Sequence, residues 1–155
     1  MSETCPLPIL VVDDEEIALK LVTCLLDRIG FTDIDRAMNG VEARGLMEKK
    51  QYGLVICDWN MPEMTGLDLL KILRADDRWK RLPFLMTSID GSLERVKIAR
   101  MAGITAFLLK PFDETKLRTK LEEVLVGPLP KRKPVLAPLM AAPPAPAEPV
   151  AADSP

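Results

Sequence analysis

The amino-acid sequence predicts an α/β fold, a doubly wound sheet of five parallel strands that alternate with five helices. Short apolar runs alternate along residues 7–126 with longer stretches of helical period, a rhythm typical of a parallel sheet covered by helices on both faces. Acidic residues directly follow two of these runs. Nine of the 14 prolines lie in residues 127–155, so we expect one domain with an appendage.

The five strands are predicted from the apolar runs, which are bounded by turn-forming residues. Four of the runs are clear, and the second is weaker than the others. In chain order they lie at residues 9–12, near 33–37, and at 54–57, 83–86 and 106–109.

The helices are predicted from apolar residues at helical spacing, with capping residues at their ends. The expected buried residues are Ile17, Leu21, Leu25 and Ile29 in the first helix, Val41, Leu46 and Met47 in the second, Leu67, Leu70 and Leu73 in the third, and Leu117, Leu121, Val124 and Leu125 in the fifth. The capping signals are Asn39 with Glu42 as a capping box, Ser92, Asp113, and the stop signals Gly30 and Gly103.

Composition divides the chain into an N-terminal extension at residues 1–6, a globular domain at 7–126 and a tail at 127–155. The tail is rich in proline and alanine and lacks aromatic residues, so we expect it to be disordered. Its short basic segment at residues 131–133 is typical of a solvated linker.

The bulk composition excludes several classes of protein. With 21 Lys and Arg against 23 Asp and Glu, the chain has no basic excess for a nucleic-acid backbone. It contains no histidine, which excludes a histidine kinase and a His-phosphotransfer protein. Its three cysteines form no C-x-x-C pair, so we expect reduced thiols. The N-terminus resembles neither a signal peptide nor a membrane span, which indicates a cytoplasmic protein with no membrane contact.

Acidic residues are placed where ligands bind in such sheets. Asp13 and Asp14 follow the first apolar run, and Asp58 follows the third. The strand order 2-1-3-4-5 is the common doubly wound arrangement exemplified by flavodoxin. In a sheet of that order the crevice opens between strands one and three, where these carboxylates would converge. Two carboxylates brought to ~4 Å repel by about 4 kcal/mol at an effective dielectric constant of about 20, so the cluster needs a cation, and an all-oxygen site suits Mg²⁺.

Two further polar residues end the remaining strands of that crevice. Lys110 ends the fifth strand and Thr87 ends the fourth. A phosphoryl group on Asp58 would attract the amine and the hydroxyl, because phosphorylation adds acceptor oxygens and about −1.5 to −2 units of charge. The set of residues therefore favours a phosphoryl-acceptor site.

Four segments of the sequence, VVDDEE, CDWNMPEMTG, MTS and FLLKPF, resemble the receiver domain of bacterial two-component response regulators, particularly the small chemotaxis type. The resemblance covers about residues 7–126. It implies a flavodoxin-like fold and a signalling switch, which takes a phosphoryl group from a sensor histidine kinase or a His-phosphotransfer protein and then regulates a protein partner. Such a switch is no enzyme beyond its own phosphorylation and dephosphorylation.

The resemblance also implies a role for each site residue. Asp58 is the phosphoacceptor. The implied Mg²⁺ ligands are Asp13, Asp14, Asp58 and the main-chain carbonyl of Asn60. Of the acid pair, Asp14 is expected rather than Asp13 to contact the ion directly. Lys110 and Thr87 contact the phosphoryl group, and Thr87 and Phe107 form the switch pair.

Other interpretations fit the sequence less well. A phosphohydrolase of the haloacid-dehalogenase type requires D-x-D after the first strand, but Asp13 and Asp14 are adjacent. No P-loop or G-x-G-x-x-G motif is present. A receiver-shaped interaction module that works unphosphorylated stays an alternative. Near Asp58, we expect Cys57 to be a core residue and Trp59 and Met61 to pack the loop, which Met64 and Gly66 shape.

The output class follows from the end of the sequence. No periodic segment long enough for a helix-turn-helix follows residue 126, so we expect no direct DNA binding. Output would pass to a protein partner through the face formed by the fourth helix, the fifth strand and the fifth helix, which carries Phe107 beside Thr87.

Overall fold

The apolar runs form a parallel sheet of five strands in the order β2-β1-β3-β4-β5, in a computed structural model that describes residues 7–125. This confirms the predicted fold class and strand order. The strands are β1 (Ile9–Val12), β2 (Ile34–Ala37), β3 (Leu54–Asp58), β4 (Phe84–Ser88) and β5 (Ala106–Leu109).

A helix follows each strand, and the helices cover the sheet on both faces. They are α1 (Glu16–Ile29), α2 (Gly40–Lys49), α3 (Gly66–Arg74), α4 (Leu93–Ala102) and α5 (Glu114–Val124). Alternate residues of β1 enter two separate cores. Leu10 and Val12 pack in the core that contains residues of α2, α3 and α4, whereas Ile9 and Val11 pack in the core under α1 and α5.

The strand register places the predicted site residues at one edge of the sheet. Val12 pairs with Cys57, so the next residues along the two strands, Asp13 and Asp58, are neighbours. Asp58 in turn pairs with Thr87. The carboxyl ends of β1, β3 and β4 therefore meet, as expected at the switch point of a doubly wound sheet.

The predicted buried face of α1 is partly wrong. Ile17 is 83% exposed and Leu21 is 51% exposed, whereas Leu25 and Ile29 are buried as predicted. An α-helix has about 3.6 residues per turn, so positions four residues apart drift by roughly 40° per step and leave the core face over three steps. The face that packs on the sheet is completed by Leu19, Val22 and Leu26.

The second helix needs a similar correction. Val41 is 65% exposed and does not pack in the core, whereas Met47 is buried and Leu46 is partly buried against it. Asn39 accepts a hydrogen bond of 2.8 Å from the Glu42 N–H, as predicted. The Glu42 carboxylate, however, accepts from the Met38 N–H and not from the cap residue, so the predicted capping box is not closed.

The other predicted helix ends are confirmed. Ser92 caps α4, Asp113 caps α5, and Gly30 and Gly103 end α1 and α4 with positive φ angles of 127° and 102°. A complete capping box lies at the start of α3, where Thr65 and Asp68 exchange hydrogen bonds of 3.1 Å. Within residues 7–125, no helix is long and apolar enough to cross a membrane. The predicted extension and the predicted tail from residue 127 lie outside the described residues.

Candidate functional site

Three carboxylates meet at the edge of the sheet where β1 and β3 end. Asp13, Asp14 and Asp58 each present one oxygen within 4.8 Å of the other two. Asp13 and Asp58 are buried, and Asp14 is half-buried. The convergence predicted from the sequence is therefore present in the structure.

Lys110 supplies a positive charge to this cluster from the end of β5. Its Nζ donates to Asp13 Oδ2 at 2.9 Å and lies 3.3 Å from Asp58 Oδ1. Burial alone would lower the pKa of Lys110, but the hydrogen bond to Asp13 and the charges of Asp58 and Asp13 outweigh it, so the pKa is raised. The amine is therefore protonated and lies between Asp13 and Asp58, two of the three acids. The peptide bond that follows it, to Pro111, is cis.

Asp58 occupies an unfavourable environment for a lone carboxylate. Burial raises its pKa above the ordinary value, the Lys110 charge opposes that rise, and the charges of Asp13 and Asp14 add to it. Desolvation also makes a carboxylate a better nucleophile than one that is fully hydrated. The ionised form of Asp58 is therefore disfavoured unless a further cation lies beside it.

The two neighbouring acids differ in how fully they are bonded. Asp13 Oδ1 accepts from the Glu15 N–H at 3.0 Å and its Oδ2 accepts from Lys110, so both of its oxygens are engaged. Within residues 7–125, nothing donates a hydrogen bond to the Asp14 carboxylate. The oxygens of Asp14 are thus the more available to a cation.

The donor set fits Mg²⁺. The three carboxylates supply hard oxygen ligands, and their crowding within 4.8 Å corresponds to a repulsion of about 3.5 kcal/mol per pair at an effective dielectric constant of about 20. Lys110 brings one positive charge to three negative ones. A divalent cation would complete the balance of charge, and the exposed Asn60 follows closely enough in the chain for its carbonyl to join the ligands.

Thr87 lies beside Asp58, and its hydroxyl makes only a long hydrogen bond. Its side chain is 3% exposed, and Thr87 Oγ1 donates to the Cys57 carbonyl over a long 3.5 Å. A bond of that length is near the limit of a hydrogen bond, so the hydroxyl is easily redirected. Cys57 itself is fully buried in the core as expected, and burial raises the pKa of its thiol well above the usual value.

Phe107 is half-buried on β5, opposite Met86 of β4. Its ring contacts Trp59 edge to face, with centroids 6.5 Å apart and planes inclined by 64°. Trp59 and Met61 are both buried, which confirms that they pack the loop after β3. The sequence did not reveal that Trp59 connects this loop to Phe107.

The loop after β3, residues 59–65, is held by main-chain contacts that the sequence hardly indicated. The Trp59 N–H donates to the Thr87 carbonyl at 2.9 Å, and the Gly66 N–H donates to the Trp59 carbonyl at 2.8 Å. A Cβ on Gly66 would collide with the main-chain oxygen of Asp58. Glycine is required there because the chain approaches the Asp58 main chain closely, and Glu63 in the same loop has a strained left-handed conformation with φ of 68°.

Fold and site together define a doubly wound, flavodoxin-like domain with three carboxylates and a lysine at the topological switch point of its sheet. The family described as response regulator receiver domain matches residues 9–122, and the chain belongs to that family. It is similar to the chemotaxis protein CheY1 of Helicobacter pylori (strain J99), with 42% identity over 118 residues that cover 76% of this chain and 95% of that protein.

Two further relatives support the same family. The chemotaxis protein CheY-3 of Vibrio cholerae is 38% identical over 116 residues, which cover 75% of this chain and 89% of that protein. The solved structure of CheY4 of Vibrio cholerae superposes with a TM-score of 0.73 at 31% identity, and the match covers 78% of this chain and all of that one. The domain is therefore a receiver-type signalling protein similar to chemotaxis regulators.

Proposed function

We propose that this receiver domain is a phosphorylation-controlled switch in which Asp58 accepts the phosphoryl group. The observation that carries the proposal is the environment of Asp58, a buried carboxylate with Lys110 Nζ at 3.3 Å and two more acids within 4.8 Å. An ionised carboxylate beside a cation such as Lys110 is suited to attack phosphorus. An aspartate buried only for packing would not have these charged neighbours.

The phosphoryl donor would be a phosphohistidine of a sensor histidine kinase or of a His-phosphotransfer protein. The donor histidine belongs to the partner, since this chain contains none. An oxygen of Asp58 forms the new O–P bond, the N–P bond of the phosphohistidine breaks, and the departing imidazole takes up a proton. The domain catalyses this step and the later hydrolysis on itself and acts on no other substrate.

The residues around Asp58 would take separate parts in that step. Asp13, Asp14, Asp58 and the Asn60 carbonyl would hold Mg²⁺, which offsets negative charge on the phosphoryl oxygens when bound. Lys110 reaches Asp58 already and would pair with a phosphoryl oxygen. Thr87, whose hydroxyl is weakly held, would turn to donate to another.

The output surface is proposed to be the face made by α4, β5 and α5. A hydroxyl of Thr87 drawn toward the phosphoryl group leaves space that the Phe107 ring can enter, which changes the shape of this face. Large apolar side chains already lie exposed there or beside it: Leu93 at 80%, Met101 at 88% and Leu109 at 50%. Apolar surface of this kind suits a protein partner.

Phe107 gives this switch a particular property. Because its side chain has no hydroxyl, packing alone would favour the inward position of the ring. We therefore expect some partner binding without phosphate.

A small phosphodonor tests the proposal directly. Incubation with acetyl phosphate and Mg²⁺ is expected to add about one phosphoryl group per chain. That phosphate should be acid-labile and released by hydroxylamine, as an acyl phosphate is. The matched control is Asp58→Asn, which keeps the shape of the side chain and is expected to take up none. Phosphate retained by that variant would refute Asp58 as the acceptor, and no phosphate on the wild type would favour an interaction module that works unphosphorylated.

A further inference from the structure

The first turn of α4 reaches the loop at residues 59–65 through one side chain. Arg95 is the third residue of α4, and its main-chain N–H is capped by the Ser92 hydroxyl at 3.3 Å. The Arg95 guanidinium carbon lies 4.4 Å from the centroid of the Trp59 ring. Its Nη1 is also 3.5 Å from Asn60 Oδ1, so one cation contacts two successive residues of the loop.

The guanidinium is itself oriented by an acid in the loop before α4. Arg95 Nε lies 3.4 Å from Asp90 Oδ2, and the Arg95 side chain is 29% exposed. A planar guanidinium can stack on an aromatic ring and direct its N–H groups sideways at the same time, which a lysine ammonium cannot do. The contacts to Trp59, Asn60 and Asp90 therefore require arginine.

The Trp59 ring lies between two elements of the proposed output face. Arg95 of α4 covers the ring, and Phe107 of β5 contacts it edge to face. The main chain of Trp59 is fixed by its bonds to Thr87 and Gly66. A change at Arg95 would consequently alter the packing of the loop at residues 59–65, whose main chain adjoins Asp58.

The helix that carries Arg95 is lightly anchored. Ala99 is the residue of α4 that is buried, whereas α1 buries five residues and α3 buries four. A helix with so little core contact depends on its end contacts for its position. The stack of Arg95 on Trp59 is such a contact.

From these contacts we propose that Arg95 is a positioning residue that couples α4 to the phosphoacceptor loop. Its stack on Trp59 and its reach to Asn60 fix the chain segment whose carbonyl is the expected Mg²⁺ ligand. A protein that docks on α4 and displaces Arg95 would then alter Mg²⁺ affinity, and Mg²⁺ would alter docking by the same factor. The metal part of this inference rests on the proposed function, and the coupling of Arg95 to Trp59 does not.

Fluorine NMR of the full chain labelled with fluorotryptophan tests the coupling, since the chain has 2 Trp residues and Trp79→Phe assigns the signals. Arg95→Ala is expected to shift the Trp59 signal without Mg²⁺, to leave the Trp79 signal in place and to weaken Mg²⁺ binding about two- to fivefold, the range for a partly exposed cation–π contact. For Arg95→Lys, which keeps a cation near the ring, the Trp59 signal and the Mg²⁺ affinity are expected to lie between those of the wild type and those of Arg95→Ala. Arg100→Ala, which removes the same charge from an exposed site on α4, is the matched control and should change neither signal nor affinity.

The outcomes separate this inference from the proposed function. An unshifted Trp59 signal in Arg95→Ala, or equal Mg²⁺ affinities in Arg95→Ala and Arg100→Ala, would overturn the coupling. A wild-type chain that binds no Mg²⁺ would overturn the proposed metal site, and the role of Arg95 would then be decided by the Trp59 signal. If Arg95→Ala does not fold, the graded response expected of Arg95→Lys decides the same question.

Discussion

Replacement of Asp58 by asparagine removes one of three crowded carboxylates and keeps the shape of the side chain. The nearest oxygens of Asp13, Asp14 and Asp58 lie within 4.8 Å, so each of the two repulsions that involve Asp58 is about 3.5 kcal/mol at an effective dielectric constant of about 20. The attraction between Asp58 Oδ1 and Lys110 Nζ at 3.3 Å is about 5 kcal/mol on the same scale. The two repulsions exceed the attraction by about 2 kcal/mol on this scale. Burial of the charged carboxylate, the largest cause of its raised pKa, destabilises it further and offsets the hydrogen bond from Lys110. Without divalent cations, Asp58→Asn should therefore be more stable than the wild type by about 2 kcal/mol.

Thermal unfolding in the presence of EDTA measures this difference. A gain of that size corresponds to a rise in Tm of roughly 5–10 °C for a domain of this length. Asp77→Asn makes the same chemical change at a side chain that is 95% exposed, so it is the matched control and should leave Tm nearly unchanged. Added Mg²⁺ should stabilise the wild type more than Asp58→Asn, because the variant lacks a ligand. Equal or lower stability of Asp58→Asn in EDTA would refute the electrostatic argument.

The difference in stability should also depend on pH in a defined direction. The pKa of Asp58 is raised in the folded state, so the folded state binds its proton more tightly than the unfolded state. The destabilisation caused by Asp58 is therefore present above its folded pKa and is lost as pH falls through that value toward the unfolded one. In EDTA the Tm values of wild type and Asp58→Asn should converge on acidification, and a constant gap would contradict a charged Asp58.

Three further changes test the metal site, the output face and the tail. Asp14→Ala should weaken Mg²⁺ binding and slow phosphorylation by loss of an oxygen ligand, and an unchanged Mg²⁺ affinity by Trp59 fluorescence would count against Asp14 as a ligand. Thr87→Ala should reduce partner binding more than phosphate uptake; in the wild type, amide shifts on phosphorylation should cluster at residues 88–112, and a cluster at the first two helices would misplace the output face. Truncation near Gly127 should leave Tm and phosphorylation nearly unchanged, whereas a Tm lowered by many degrees would show that the tail packs on the domain.

The sequence predicted those parts of the fold that depend on continuous local signals. The apolar runs located all five strands, and short polar side chains such as Ser92 and Asp113 located helix starts, because a cap is made within a few residues of the chain. The strand order was taken from a known arrangement, and the sheet confirms it. Convergence of the acids followed from that order, since it depends only on which strand ends are adjacent.

The predictions failed where the outcome depends on the angle at which a helix meets the sheet. Ile17 and Leu21 fit a simple repeat of four, yet the helix turns them toward solvent while Leu19 and Val22 pack inward. An apolar residue in a sequence does not indicate by itself which side of a helix the sheet will cover. The same applies to Val41, which lies at the exposed side of the first turn of α2.

The geometry of the loop after β3, residues 59–65, depends on contacts between residues that are distant in sequence. For this reason the contacts that hold the loop could not be predicted. Arg95 lies 35 positions from Asn60, and no local pattern pairs them. Gly66 was expected to shape the loop, but the reason is a close approach to the Asp58 main chain that appears only after α3 packs beside β3. A side chain at Gly66 would push the loop away from β3 and carry the Asn60 carbonyl with it. The acids are therefore positioned by the sheet, whereas the loop with the proposed fourth ligand is contacted by helices α3 and α4. If Mg²⁺ binds as proposed, we expect a mutation in either helix to alter its affinity without touching an acid.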